Sequence, residues 1–275
     1  QHSATEYVPR LASEASLEEL LEATELVEKG LPLTPALNQV INHGTSIGGA
    51  RPKTLIQHGT QKFIAKFSTS SDLYNVVKAE FIAMRLAQLA GLDVAGVKLT
   101  KAHKKDVLLV ERFDRIPHKD SWKRKGLISF LTLLGLDEMM ARYASYETST
   151  EMIRHSFTDP RKTLKELFSR LSFNILVGNT DDHARNHAAF WDGDHLTLTP
   201  AYDICPQARA GQEASQAMLI YGDNRLSTLK NAIEASHCFL LSEKEACEII
   251  EKQVFTITEN WQKISTEASL SQIDQ

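Results

Sequence analysis

The sequence predicts an α+β fold, and three observations support this class. Short runs of alternating apolar and polar residues, typical of strands, fill the first part of the chain. They lie at 53–57, 62–67, 94–100 and 107–112. From residue 127 onward, apolar residues recur at helical intervals instead. The pattern changes near 111–114, so we expect a strand-rich N-lobe over 1–112 and a helical C-lobe over 113–275.

Composition limits the classes of function. With 275 residues, of which 42% are hydrophobic, the chain is long enough to bury a substantial core. Its formal charge of -4 does not favour direct nucleic-acid binding through phosphate neutralisation. The three cysteines lack the spacing of a zinc site or a disulfide framework, and no run is apolar enough for a membrane span. We therefore expect a cytoplasmic protein without membrane contact.

The N-terminal elements are predicted from their end signals. Ser16 and Glu19 form a capping box before an apolar periodic segment, which predicts a helix over 17–29. A glycine-rich turn at 44–50 precedes a hairpin centred on 58–60. Regular apolar spacing then predicts a helix over 76–89, which ends before Gly91.

The remaining elements follow the same rules. A basic turn at 101–105 joins the last two strands of the N-lobe. Apolar periodicity predicts helices at 128–135, 137–144, 161–177, 225–235 and 242–262. A small hairpin, 187–191 with 195–199, turns at residues 192–194.

The segment 178–186 carries the strongest chemical signal. It follows an apolar helix and precedes a short strand, where polar side chains can be both held and accessible. Asp181 and Asn186 have the spacing of a kinase catalytic loop, in which the aspartate accepts the substrate proton and the asparagine binds Mg²⁺. Asp203 ends the next hairpin and matches the acidic residue that links Mg²⁺ to ATP. Aspartate and asparagine are also common in turns, so spacing alone leaves a structural role open.

Two upstream features point the same way. Ser46, Gly48 and Gly49 lie in the glycine-rich turn, where small residues let backbone N–H groups approach phosphate oxygens. Lys66 lies inside an apolar strand, as does the kinase lysine that contacts the ATP phosphates. A lysine on a strand is more often a solvated surface residue. Glu80, on the following helix, is a candidate partner for Lys66.

Four motifs in this order resemble those of the HipA kinase family. They are TSIGGARPK at 45–53, VERFDR at 110–115, GNTDDHARN at 178–186 and LTPAYD at 198–203. The stretch 226–261 is similar to the closing helices of the family. The resemblance implies a two-lobed, protein-kinase-like fold of the HipA type and an ATP- and Mg²⁺-dependent serine/threonine kinase that acts as the toxin of a toxin–antitoxin system.

The resemblance also implies roles for single residues. Asp181 would be the catalytic base, Asn186 and Asp203 would hold Mg²⁺, and Lys66 would contact ATP phosphate. Backbone groups of Glu111 and Phe113 would hydrogen-bond adenine. Ser46 matches the serine that family members autophosphorylate to switch themselves off, and Thr45 is the nearest competing acceptor.

Partners follow from the same resemblance. The expected substrate is a protein such as an aminoacyl-tRNA synthetase, and a DNA-binding antitoxin would restrain the kinase. Full-length family members carry a further N-terminal subdomain, and 44 residues precede the glycine-rich loop here, so we expect most of that subdomain to be missing. Thr180 stands where eukaryotic kinases have an arginine, which argues against control by activation-loop phosphorylation.

Two other functions compete with this hypothesis. Five side chains could instead form the O/N cluster of a metal-dependent nuclease or phosphohydrolase. They are Asp181, Asp182, His183, His187 and Asp203. Alternatively, the chain is a non-catalytic binding module that uses the basic loop at 119–125, where Trp122 is interleaved with cations. For that loop, a solvated surface is the simpler explanation.

Overall fold

The structure is a computed structural model that describes most of the chain beyond residue 52. The described residues are 53–58, 61–69, 72, 74–102, 105–119, 121–208, 211 and 213–271, with Glu19, Glu22 and Leu26. These last three are helical, as predicted for 17–29, and the rest of that segment and the glycine-rich turn lie outside the described residues. The chain divides into two compact units. The first comprises residues 1–73 and 97–112, and the second comprises 74–96 and 113–275.

The first unit is built on a four-stranded antiparallel sheet. Its strands are β1 (Lys53–His58), β2 (Gln61–Phe67), β3 (Val97–Ala102) and β4 (Lys105–Glu111), in the order β1-β2-β4-β3. The four predicted strands are therefore confirmed, with ends shifted by at most three residues. Alternate residues of β2 form the core, because Phe63, Ala65 and Phe67 point to one buried face and pack with residues of β4.

The second unit combines six helices with two small sheets among its described residues. The helices are α1 (Val76–Ala90), α2 (Phe130–Leu133), α3 (Tyr146–Ser156), α4 (Pro160–Val177), α5 (Leu229–Glu234) and α6 (Glu243–Glu267). The strands are β5 (Arg115–His118), β6 (Ser121–Arg124), β7 (Gly126–Ser129), β8 (Ala188–Trp191) and β9 (Leu196–Leu198). One sheet pairs β5 with β6, and the other has the order β7-β8-β9. Mixed helices and antiparallel sheets confirm the predicted α+β class.

Local sequence explains where the long helices begin and end. The side chain of Asp159 caps α4, whose first residue is Pro160, and the left-handed Gly178 ends it. Ser242 and Glu245 form a reciprocal capping box at the start of α6. The end signals of α4 determine where this helix stops, so residues 178–186 follow directly after its C-terminus.

Helix α4 lies in the core of the second unit. Its buried side chains include Leu164, Leu167, Phe168 and Leu171, which pack in the main hydrophobic cluster with residues from α3, α5 and α6. Burial of each large apolar side chain stabilises the unit by about 1.5–3 kcal/mol. The loop that follows α4 is therefore attached to one of the most firmly packed elements of the unit.

Three predictions for the second unit differ from the structure. The helix expected over 137–144 is a series of turns with a 3₁₀ segment at Ala141–Tyr143, and its apolar Met139 is exposed. The basic loop is part of the β5–β6 hairpin, in which most side chains are exposed and Pro117 pairs with Trp122. The segment 128–135 begins as strand β7 and contributes only the one-turn helix α2.

Helix α3 was not predicted at all. Its first turns are rich in serine and threonine, which have low helix propensity, and packing of Ser149, Thr150 and Ile153 stabilises it instead.

Residues 74–96, which the sequence analysis placed in the N-lobe, belong to the second unit. Within the part of the chain that the structure describes, no helix is long and apolar enough to cross a membrane.

Candidate active site

The Asp181 loop, residues 178–186, is held at both ends by backbone hydrogen bonds within the second unit. Asn179 N–H donates to Asn174 O of α4 at 2.8 Å, and Ala217 N–H donates to Thr180 O at 2.9 Å. Further along, Leu131 N–H donates to Ala184 O at 3.2 Å. The loop therefore has a defined path although it carries no regular secondary structure.

The structure brings two of the predicted site residues together in this loop. The Asn186 side-chain Nδ2 donates to the backbone oxygen of Asp181 at 3.2 Å. Because this bond uses the amide nitrogen, the amide oxygen is the atom that could coordinate a cation. The Asp181 side chain is exposed, as a base that must meet an external substrate requires.

Asp203 has an unusual backbone conformation. Its φ of 62° lies in the left-handed region, which few residues other than glycine adopt and which aspartate tolerates better than most. Such strain is often found at functional sites, where the surrounding structure over-determines the backbone. This conformation makes Asp203 a candidate functional residue.

The Asp203 segment, residues 199–203, is tied to the Asp181 loop. Tyr202 OH donates to the backbone oxygen of Arg185 at 2.8 Å, which connects the neighbour of Asp203 to the neighbour of Asn186. Burial, and then the charge of Asp203, raises the pKa of the Tyr202 phenol, so this donor keeps its proton. The Phe113 ring packs 5.7 Å from the Tyr202 ring and 5.8 Å from the Phe190 ring.

Arg170 of α4 anchors the start of the Asp203 segment. Its side chain is 2% exposed, and Nη2 donates to Thr199 O at 2.8 Å and to Asp93 O at 3.3 Å. Nε donates to Glu166 Oε1 at 2.9 Å. The sequence analysis missed this residue, because arginine on a helix is mostly exposed and the sequence carries no signal of its burial.

Behind the Asp181 loop lies a group that we call the buried cluster: Tyr146, Asp182 and His187. His187 Nε2 lies 2.9 Å from Asp182 Oδ1, and Tyr146 OH donates to Asp182 Oδ2. Because a carboxylate can only accept, Nε2 of His187 carries the proton of the shared hydrogen bond. The sequence analysis did not identify Tyr146, since helix α3 itself was not predicted.

Electrostatics within the buried cluster keep Asp182 and Tyr146 in the protonation states that this bonding needs. Burial alone would raise the pKa of Asp182. The attraction and hydrogen bond of His187, with hydrogen bonds from Tyr146 and Asn174, outweigh burial and hold that pKa below its ordinary value. Burial, and then the negative charge of Asp182, raises the pKa of Tyr146 well above its ordinary value. Asp182 therefore accepts as a carboxylate while Tyr146 remains a donor.

The buried cluster bears directly on the proposed nuclease metal site. Asp182 and His187 bond to each other in the interior and are not turned toward a shared external ion. In the regions that the structure describes, no group of three or more His, Cys, Asp and Glu side chains is arranged to hold a metal ion. The side-chain oxygen atoms of Asn186 and Asp203 are of the ligand type that Mg²⁺ prefers.

The first unit carries Lys66 and Glu111 on neighbouring strands. Lys66 lies in β2 opposite Leu108 of β4 and is only 8% exposed, so its interpretation as a solvated surface residue is wrong. A buried lysine is rare unless it is paired or functional. Glu111 ends β4, and its side chain accepts from Gln61 at 3.0 Å. Glu80 of α1 in the second unit is also buried, at 3% exposure, unlike a typical surface glutamate.

Three predicted site residues, Ser46, Gly48 and Gly49, lie outside the described residues. Their roles therefore stay predictions, as do the roles of the other site residues. The structure does place Asp181, Asn186, Asp203 and Phe113 in one unit and Lys66 and Glu111 in the other.

The chain is similar in sequence to proteins that are named as kinases. The chain is 27% identical to the serine/threonine-protein kinase toxin HipA of Shewanella oneidensis over 183 residues, which are 58% of this chain and 42% of that protein. It is 32% identical to the putative kinase Y4mE of Sinorhizobium fredii over 131 residues, or 46% of this chain and 31% of that one. The chain thus spans less than half the length of these relatives.

Solved structures share the fold. A complex of Shewanella oneidensis HipA with HipB and its operator DNA matches 93% of this chain and 66% of that chain, with a TM-score of 0.70 and 20% identity. The proinflammatory kinase CtkA of Helicobacter pylori matches 81% of this chain and 93% of that chain, with a TM-score of 0.55 and 15% identity. These matches confirm the predicted HipA-type, kinase-like fold.

The family model of the HipA-like C-terminal domain matches residues 45–261, which include every motif quoted above. This match covers most of the chain. The predicted resemblance is therefore confirmed, and the chain belongs to the family of HipA-like C-terminal domains.

Proposed function

We propose that the chain is an ATP-dependent serine/threonine protein kinase and the toxin of a HipA-type toxin–antitoxin system. The observation that carries the proposal is the connection between the two predicted metal-binding segments. Asn186 is bonded to the backbone of Asp181, and the left-handed Asp203 is next to Tyr202, which is bonded to the Asp181 loop. The relatives are named as kinases or putative kinases, and these names support the same activity.

Each residue would have a defined task in this reaction. The exposed Asp181 carboxylate would accept the proton of a serine or threonine hydroxyl as its oxygen attacks the terminal phosphorus of ATP. The new O–P bond would form as the bond to the leaving ADP oxygen breaks. The amide oxygen of Asn186 and the carboxylate of Asp203 would hold Mg²⁺, which neutralises phosphate charge when bound.

Most of the proposed nucleotide-binding residues belong to the first unit, and Phe113 belongs to the second. Lys66 would contact ATP phosphate, with Ser46, Gly48 and Gly49 covering the phosphates, and backbone groups of Glu111 and Phe113 would bind adenine. Burial of Lys66 supports this role, because a cation removed from water interacts more strongly with an anionic ligand.

The proposed partners follow from the relatives. The HipA structure contains HipB and operator DNA, which supports a DNA-binding antitoxin as the partner of this chain. A translation component such as an aminoacyl-tRNA synthetase is the proposed substrate, and the cytoplasm is the proposed location.

The nuclease alternative is disfavoured because Asp182 and His187, two of its five ligands, bond to each other in the interior.

Substitution Asp181→Asn tests the activity. It removes the proton acceptor with little change in shape, so transfer from γ-labelled ATP should fall by about 100-fold or more while Mg²⁺-dependent nucleotide binding persists. Asp137→Asn, at an exposed position, is the matched control. Transfer at the wild-type rate in a folded Asp181→Asn protein would exclude Asp181 as the base.

A further inference from the structure

Two residues of the buried cluster each directly follow a predicted site residue in the chain. Asp182 follows Asp181, and His187 follows Asn186. The Asp181 side chain is exposed while that of Asp182 is buried. Consecutive side chains of the loop therefore lie at the surface and in the interior. Anchoring Asp182 and His187 therefore restrains Asp181 and Asn186.

Both oxygens of the Asp182 carboxylate are engaged. Oδ1 accepts from His187 Nε2 at 2.9 Å, and Oδ2 accepts from Tyr146 OH. Two bonds in different directions fix the rotation of the carboxylate as well as its position. Hydrogen bonds that involve a charged partner are about twice as strong as neutral ones, and burial excludes competing water.

The partners of Asp182 are themselves held. The His187 ring packs against the rings of Phe130 and Tyr146, with centroids 5.6 and 5.7 Å away. Phe130 N–H donates to His187 O at 2.9 Å, and Tyr146 N–H donates to Leu219 O at 2.9 Å. His187, which precedes strand β8, thus contacts helices α2 and α3 in the cluster.

We propose that the buried cluster sets the geometry of the Asp181 loop, with Tyr146 and His187 acting as positioning residues through Asp182. This inference rests on the proposed kinase function for its effect on transfer. It also makes a claim about the structure alone: loss of a cluster bond loosens the loop. Neither residue touches a reacting atom, so the expected loss is in kcat and not in nucleotide binding.

The experiment compares Tyr146→Phe with Tyr143→Phe in the full chain. Both variants lose one phenol hydroxyl, but Tyr143 is exposed and its hydroxyl accepts a hydrogen bond from the neighbouring Arg142. Amide hydrogen exchange of peptides covering residues 178–188 should rise by about tenfold in Tyr146→Phe, because one hydrogen bond to a charged group is lost. Tyr143→Phe should exchange like the wild type.

Kinetics supply the second measurement. In Tyr146→Phe, kcat should fall by about tenfold while KM for ATP changes by less than about threefold. Exchange that is equal in both variants overturns the inference, and so does raised exchange with unchanged kcat. If the wild type transfers no phosphate, the proposed function fails, and exchange alone then decides whether the cluster holds the loop.

A second pair of variants covers the case in which Tyr146→Phe does not fold. His187→Gln keeps an N–H donor that can reach Asp182, whereas His187→Leu removes it. His187→Gln should retain kcat within about threefold, whereas His187→Leu should lose about tenfold or more in kcat. Equal kcat values in the two His187 variants would overturn the positioning role.

Discussion

Arg170 provides a quantitative test of how the Asp203 segment is held. It is a buried cation that donates to the backbone oxygen of Thr199 and to the Glu166 carboxylate. Substitution Arg170→Met keeps most of the side-chain length and removes every donor. Thr199 is itself fully buried, so its carbonyl oxygen cannot bond to bulk water after the substitution.

The magnitude follows from the two shorter bonds, at 2.8 and 2.9 Å. Hydrogen bonds to charged groups contribute about 1.5–3 kcal/mol each, which gives about 3–6 kcal/mol for the pair. Glu166 is 22% exposed and can regain water, and the methionine adds apolar contacts. We therefore expect the free energy of unfolding to fall by about 3 kcal/mol, the low end of this range.

Equilibrium unfolding in urea measures this change. Arg161→Met is the matched control, because Arg161 lies on the same helix and is exposed; its free energy of unfolding should change by less than about 0.5 kcal/mol. Arg170→Lys should lie between the two, since one ammonium cannot reproduce the directions of the guanidinium donors. A loss below about 1 kcal/mol in Arg170→Met would refute the anchoring role.

Three further predictions concern the backbone, the pH response and regulation. Asp203→Gly should be more stable to heat than Asp203→Ala by about 1 kcal/mol, because only glycine adopts the φ of 62° without strain, while both variants lose phosphoryl transfer; equal stabilities would contradict the strain. The folded-state pKa of Asp182 lies below its ordinary value of 3.8, so its contribution to stability is present above that value and is lost as pH falls through the folded-state pKa. Acid unfolding should therefore be less steep in Asp182→Asn than in the wild type, and identical slopes would exclude this contribution. Incubation with Mg²⁺ and ATP should place phosphate on Ser46 or Thr45, and Ser46→Asp should weaken nucleotide binding because added negative charge repels ATP phosphates; peptide mass spectrometry that finds neither residue modified in an active preparation would exclude this regulation.

Local chemistry made much of the fold predictable from sequence. The strands of the first unit follow from alternation, and the long helices α1, α4 and α6 follow from apolar periodicity and end signals. The Asp181 loop could be located because Gly178 ends α4 in a left-handed conformation and β8 begins shortly after Asn186. These signals act over a few residues and are independent of the rest of the chain.

The sequence alone also determined the family and the candidate site residues, because motifs retain their order and spacing whatever the tertiary packing. It could not determine that Lys66 and Glu80 are buried, since both residues have the chemistry of surface groups. Nor could it place helix α3, whose serine and threonine residues depend on tertiary contacts.

Only the tertiary structure decided how the loop and the Asp203 segment are supported. Tyr146 meets Asp182 across 36 positions of the chain, and Arg170 meets Thr199 across 29. No periodicity links residues at such separations, because their contact arises from the packing of whole helices and strands. The same packing excludes water from both contacts, which makes their hydrogen bonds strong and the loss of one partner costly.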